Sequence, residues 1–166
     1  MPKTKYQLED FLALVNDDYR NFAITIHEKL LQDGYKLKIQ STKTYGLHAS
    51  YWQPKIKSVI GIIVYLLIHD GKLMIRINAD NHKKYSDALN RLSENIISQV
   101  NNADDCMKKI DPQKCWKGCM GYDFHIGSNY YHKCLLNCFL LHVDSESMPF
   151  LLELIENESK ERYAVV

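Results

Sequence analysis

The chain has 166 residues, 46% of them apolar and 25% charged, with a net charge of +1. That is the size and make-up of one ordinary globular domain able to bury a real core. The near-neutral charge offers no broad field for nucleic acid or anionic lipid. The scarcity of arginine (Arg20, Arg76, Arg91 and Arg162 only) also argues against a nucleic-acid reader.

Residues 1–8 are polar and charged, without the apolar stretch of a signal peptide. The most apolar run, 59–68, is about half of what a transmembrane helix needs. A cytoplasmic protein with no membrane partner is therefore expected, in a compartment that keeps thiols reduced.

Along the chain, Leu8, Leu12, Val15, Tyr19, Phe22, Ile26 and Leu30 recur at spacings of three and four, which predicts a helix over 8–33. Asn16-Asp17-Asp18 offers a point at which it divides in two, and Gly34 a stop. Alternation of Tyr35, Leu37 and Ile39 with Lys36, Lys38 and Gln40 predicts a strand wet on one face. Further strands are expected at 45–52, 58–68 and 73–78. Asp70-Gly71 between the last two is a strong hairpin signal, because a type I′ turn needs positive φ at both central residues.

Helical period returns over 82–100 through Tyr85, Leu89, Leu92, Ile96 and Val100, with Asp80 or Asn81 as cap. Residues 104–121 read as a polar loop. A second hairpin follows, with Tyr122, Phe124 and Ile126 on one face, a turn at Gly127-Ser128-Asn129 and a return from Tyr130. Phe139, Leu141 and Val143 alternate as a strand. Asp144 or Ser145 then caps a last helix carrying Phe150, Leu151, Leu154 and Ile155, whose charged end at 158–162 reads as solvated. No repeat, linker or low-complexity tract divides the chain. The expectation is a single α+β domain over 1–166, an antiparallel sheet (meander plus C-terminal hairpin) packed by about three helices on one face.

All five cysteines fall within a subregion at 104–143: Cys106, then Cys115-Trp-Lys-Gly-Cys119, then Cys134-Leu-Leu-Asn-Cys138. Two C-x3-C pairs separated by a hairpin suit zinc, which takes four thiolates in a tetrahedron with Zn–S of about 2.3 Å. The expected ligands are Cys115, Cys119, Cys134 and Cys138, with Cys106 spare or substituting for one of them. Gly118 would let the first pair curl around the ion, and Lys114, Lys117 and Lys133 would offset thiolate charge. One geometric objection stands. If 134–138 were regular strand, its two cysteines would lie about 13 Å apart, whereas thiolates on one zinc are about 4 Å apart. Either the chain turns within Leu135-Leu136-Asn137 or the two cysteines have different partners. Disulfides, redox exchange through a C-x3-C pair, and inert buried thiols are the competing readings.

Other constellations are weaker. His125, His132 and His142 lie near the cysteines in sequence, but alternation puts His125 with Asp123 on the solvated side of the hairpin. Asp80-Asn81-His82 opens a helix and reads as a cap. Tyr45, His48, Tyr51, Trp52, Tyr130 and Tyr131 are aromatic enough to line a pocket, though such residues in strands usually pack core. Phosphate loops, H-E-x-x-H and G-x-S-x-G are absent. A small enzyme with a pocket between sheet and helices is the third functional reading.

The segments Gly121-Tyr-Asp-Phe, Tyr131-His-Lys-Cys134, Asn137-Cys138-Phe139, Pro149-Phe150-Leu151-Leu152 and 156–162 resemble small, uncharacterised cysteine-containing proteins of anaerobic, AT-rich bacteria. The resemblance implies that the cysteine cluster has a task and supplies no reaction. The sequence thus leads to a non-enzymatic domain with a cysteine-based zinc site, binding a small molecule or protein.

Overall fold

A computed structural model describes residues 5–53, 61–115 and 119–163, with the side chain of Lys109 outside that set. The expected helix over 8–33 is two helices, α1 (Leu8–Leu12) and α2 (Asp17–Gln32). Asn16 divides them: its side chain accepts from the Asp18 N–H and caps α2. The helix expected over 82–100 is also divided. A 3₁₀ turn at His82–Tyr85 leads into α3 (Ser86–Leu89), and α4 (Glu94–Asn102) starts afresh where the Ser93 hydroxyl accepts from the Ile96 N–H. With α5 (Met148–Tyr163), the described residues form five helices. Two local caps thus turn three expected helices into five, and Phe11, outside the expected stripe, is fully buried.

Strands β1 (Lys36–Thr42), β2 (Gly46–Trp52), β3 (Ile62–His69) and β4 (Lys72–Ile77) make the expected antiparallel meander. The start of the third expected strand, 58–60, lies outside the described residues. Asp70 (φ 49°) and Gly71 (φ 72°) form the turn between β3 and β4, both in the left-handed region that a type I′ turn requires. β5 (Tyr122–Ile126) and β6 (Asn129–Lys133) form a separate two-stranded sheet. Asn129 already pairs with Ile126, so its turn is the two residues Gly127-Ser128. β7 (Leu140–His142) returns to the main sheet and pairs with β4, giving the order β1-β2-β3-β4-β7.

Register sorts the sheet into two faces. Ala49, Tyr51, Val64, Leu66, Ile75, Ile77 and Leu141 share one side and are all buried. Helix α2 packs there, with His27 Nδ1 3.2 Å from the Tyr51 hydroxyl. His48, Ser50, Tyr65 and Arg76 share the opposite side, where His48 Nε2 lies 3.0 Å from the Gln40 side chain.

The end of α5 differs most from expectation. Glu158, Ser159 and Arg162 are buried, the first and last at 0% and 2% exposure. Their positions continue the stripe of Leu151, Leu154 and Ile155 at the same helical spacing. Arg162 donates from Nε to Glu158 Oε1 (2.7 Å) and from Nη2 to the Asn78 carbonyl (2.8 Å) and Asp80 (2.9 Å). Glu158 also accepts from the Tyr85 hydroxyl (2.7 Å) and from the backbone and side chain of Asn81. Burial and the Glu158 carboxylate hold the Tyr85 hydroxyl well above its ordinary pKa. A buried charge is tolerable only when its hydrogen bonds are made, and these are made by three different segments.

Two outcomes follow. Glu158→Ala removes the carboxylate that Arg162 Nε, the Tyr85 hydroxyl and Asn81 share and should cost about 3–5 kcal/mol, whereas a Glu158→Leu/Arg162→Leu double variant should lose less, and urea unfolding reads the difference. The second concerns pH. Burial is the largest influence on both His27 and His48 and lowers both pKa values. The unfolded chain therefore takes up protons first as pH falls. Stability should be level above about pH 7 and decline below about 6.5, and His27→Gln and His48→Gln should each reduce that decline in thermal melts at stepped pH.

Candidate functional site

The 104–121 loop is fixed to the hairpin at its start. Asp105 bridges Lys133 in antiparallel fashion, with Cys106 N–H donating to the His132 carbonyl (3.0 Å) and Cys134 N–H to the Asp104 carbonyl (2.8 Å). The segment acts as a short third strand on β6. Lys133 is buried, and its ammonium donates to the carbonyls of Asn101 (3.0 Å) and Ala103 (2.8 Å) and pairs with Asp105 at 2.9 Å. Lys133 thus ties the end of α4 to the hairpin rather than serving mainly as a counter-charge to thiolates. Lys114 pairs with Asp111, and Lys117 lies outside the described residues. Short 3₁₀ turns at Met107–Lys109 and Pro112–Lys114 then carry the loop to Cys115.

The second cysteine pair does not lie on a strand. Cys138 N–H donates to the Cys134 carbonyl at 2.9 Å, so 134–138 closes one helical turn. This answers the 13 Å objection: the chain turns within Leu135-Leu136-Asn137.

Partial burial, and then the neighbouring Cys119, Cys106 and Cys134, push the Cys115 thiol above its ordinary range. Four thiols from the loop's start, the first C-x3-C pair and the end of β6 therefore influence one another. Cys138 goes elsewhere. It is fully buried in the main core, and burial drives its pKa far upward, with Lys133 opposing and Cys134 adding to the shift. Of the five cysteines, backbone pairing brings Cys106 beside Cys134, the Cys106 thiol lies against Gly121, two residues after Cys119, and Cys119 and Cys138 both belong to the main hydrophobic cluster. All five are free thiols. Among the described residues, no three His, Cys, Asp or Glu side chains already stand in an arrangement that could hold a metal ion.

Gly121 makes the gathering sterically feasible. It sits at φ +67°, and a Cβ there would lie 2.7 Å from Cys106 Sγ and 3.0 Å from the Lys133 carbonyl oxygen. Only glycine lets the Cys106 thiol lie against this backbone.

The histidines are dispersed. His132 Nδ1 is 2.5 Å from Asp123 Oδ1, which also accepts from the Tyr130 hydroxyl, and His125 and His142 are exposed. His82 is buried and lies between the carbonyls of Ala79 (2.8 Å) and Asp123 (3.0 Å), so its ring is a structural brace. The expected aromatic pocket is not assembled: Tyr51 is core, Tyr45 exposed, and Tyr131 stacks on Phe124 within the hairpin. A cleft of about 440 Å³ does adjoin the cysteine loop, lined by Asp80, Asn81, Lys83, Met120, Gly121 and Tyr122 among others. It was not foreseen, because it depends on the buried Glu158 and Arg162 that position Asp80 and Asn81. No helix is long and apolar enough to cross a membrane among the described residues.

Comparison with family models, curated proteins and solved structures finds no match for this chain.

Replacing Gly121 with alanine should displace Cys106 as well as strain the backbone. The expected result is a lower Tm and faster modification of Cys106 by a thiol reagent, read by mass spectrometry, with Cys138 still protected. Unchanged reactivity at Cys106 would show that the close approach has no consequence.

Proposed function

We propose that Cys106, Cys115, Cys119 and Cys134 form a structural zinc site that staples the 104–121 loop to the hairpin, in a domain that binds a partner molecule and performs no chemistry on it. The single observation that carries this reading is geometric: Cys106 and Cys134 flank the Asp105–Lys133 bridge, and the Cys106 thiol lies against Gly121, two residues after Cys119. Crowded thiols repel one another as they ionise. A divalent cation removes that repulsion, and zinc binds the thiolate form. The turn at 134–138 and the glycine at 121 both favour convergence at this end of the hairpin.

The loop has reason to need a staple. Ile110 and Met120 are exposed, and its described helical pieces are three residues each. Little apolar burial holds it, so a metal would contribute folding free energy where the core does not. Stapled in place, Met120 and Gly121 form part of the wall of the adjoining cleft, which offers a binding surface.

A thiol-redox protein is the second reading, favoured by the C-x3-C spacing of Cys115 and Cys119, both free thiols. The direction of the Cys115 shift speaks against it, since reactive cysteines are held as thiolates by lowered pKa values.

Native mass spectrometry of untagged protein, purified with reductant and offered zinc, separates the two. The expected result is about one zinc per chain, lost in Cys106→Ser, Cys115→Ser, Cys119→Ser and Cys134→Ser and kept in Cys138→Ser. Chelation should lower the Tm by several degrees. Failure of the reduced protein to take up zinc, or retention of zinc by Cys115→Ser, overturns the proposal. A two-proton mass loss on mild oxidation, joining Cys115 to Cys119 without any zinc uptake, would establish the redox reading instead.

A further inference from the structure

Strand β5 has an outer edge that the rest of the fold covers only in part. Its two-residue turn makes Ile126 and Asn129 a hydrogen-bonded pair, so Phe124 with Tyr131 is the next such pair and His125 with Tyr130 is not. The main-chain groups of Asp123 and His125 therefore point away from β6. Side chains of the 82–90 segment take two places on this edge. His82 Nε2 lies 3.0 Å from the Asp123 carbonyl, and the Gly127 N–H donates to Asn90 Oδ1 at 2.9 Å. Between these two clamps the N–H and C=O of His125 face outward together, and no group among the described residues bonds to either.

A cleft of about 520 Å³ opens at this point, between β5 and α3. Small-ligand sites span about 300–1,000 Å³. The buried Leu89 and Phe124 line it, while Lys83, Ser86, Asn90, His125 and Tyr130 line it from exposed positions, so it is open to solvent. The Tyr130 ring lies 5.3 Å from the His125 ring, and its hydroxyl donates to Asp123, which holds the ring in place. The Asp123 carboxylate is shared with His132 as well. Lys83 pairs with no carboxylate among the described residues, whereas its neighbour Lys84 pairs with Glu161.

The clamps at Asp123 and Gly127 stop a peptide from running along β5 as an added strand. A compact group that carries a donor and an acceptor side by side can still reach His125, and the Watson–Crick edge of a nucleobase is such a group. Tyr130 offers an aromatic face on which a base can stack, and Lys83 a cation for a phosphate. With a net charge of +1 the chain lacks the broad basic field of an extended nucleic-acid surface, so the fitting occupant is one nucleotide rather than a strand. We propose that this cleft binds a mononucleotide, with the base edge on the His125 main chain, the base face against Tyr130 and the phosphate at Lys83. None of its lining residues is a cysteine or belongs to the 104–121 loop, so the site does not rest on the zinc reading.

The test is an NMR titration of the full, zinc-supplemented chain at low ionic strength, reading the His125 amide and the Tyr130 ring. The probes are the four ribonucleoside 5′-monophosphates, the matching nucleosides, and ribose 5-phosphate, which has no base. Saturable shifts of both signals are expected with at least one nucleotide, at a Kd of about 1 mM or below. Lys83 and Tyr130 are both exposed, so replacing them leaves the core intact. Lys83→Gln should weaken nucleotide binding about tenfold and leave nucleoside binding unchanged. Tyr130→Val should weaken both. A His125 amide that stays silent up to about 10 mM of every nucleotide, well above that Kd, overturns the proposal. So does an equal response to ribose 5-phosphate, which would show an anion held without a base. Unchanged nucleotide affinity in Lys83→Gln or in Tyr130→Val would contradict the placement of the phosphate or of the base.

Discussion

A guanidinium almost cut off from water organises one end of this fold. Arg162 reaches back from the last helix to the end of β4 and to Asp80, while Glu158, one turn earlier, gathers Asn81 and Tyr85. The sheet, the 78–85 crossing and the C-terminal helix are therefore held by one set of charge-assisted hydrogen bonds. Buried ion pairs add little net stability compared with well-packed apolar side chains. What this pair does is join three segments: α5, Asn78 just after β4, and the crossing that bears Asp80, Asn81 and Tyr85. His82 then braces the hairpin through the Asp123 carbonyl.

The hairpin carries that order outward to the cysteines. Tyr122 and Phe124 pack against Phe139 on the core side, and Lys133 binds the carbonyls that end α4. The loop from 104 enters as a short strand beside β6. Its described middle is two short 3₁₀ turns with Ile110 exposed between them. Cys138, one turn from Cys134, and Cys119 are both part of the hydrophobic core.

Much of this architecture is legible in the sequence because it is local. The period of Phe22, Ile26 and Leu30 gives a helix, Asp70-Gly71 gives a type I′ turn, and Tyr122-x-Phe124-x-Ile126 gives a strand face. The break at Asn16 is legible too, whereas at Ser93, a residue that also caps helices better than it continues them, the period reads through as one helix. What escapes is polarity used against its usual meaning. Glu158 and Arg162 occupy core positions of the α5 stripe, but an amphipathic reading assigns charges to solvent, and their partners are more than 70 residues away in sequence. For the cysteines, spacing finds the two C-x3-C pairs but not the backbone bridge between Asp105 and Lys133 that brings Cys106 beside Cys134, which no spacing rule contains.

The central claim is that four particular thiols share one ion, and X-ray absorption at the zinc edge of the reconstituted protein addresses it most directly. The account predicts four sulfur scatterers at about 2.3 Å, persisting unchanged in Cys138→Ser. A first shell containing nitrogen or oxygen at about 2.0 Å, or one that loses a sulfur when Cys138 is replaced, would contradict it.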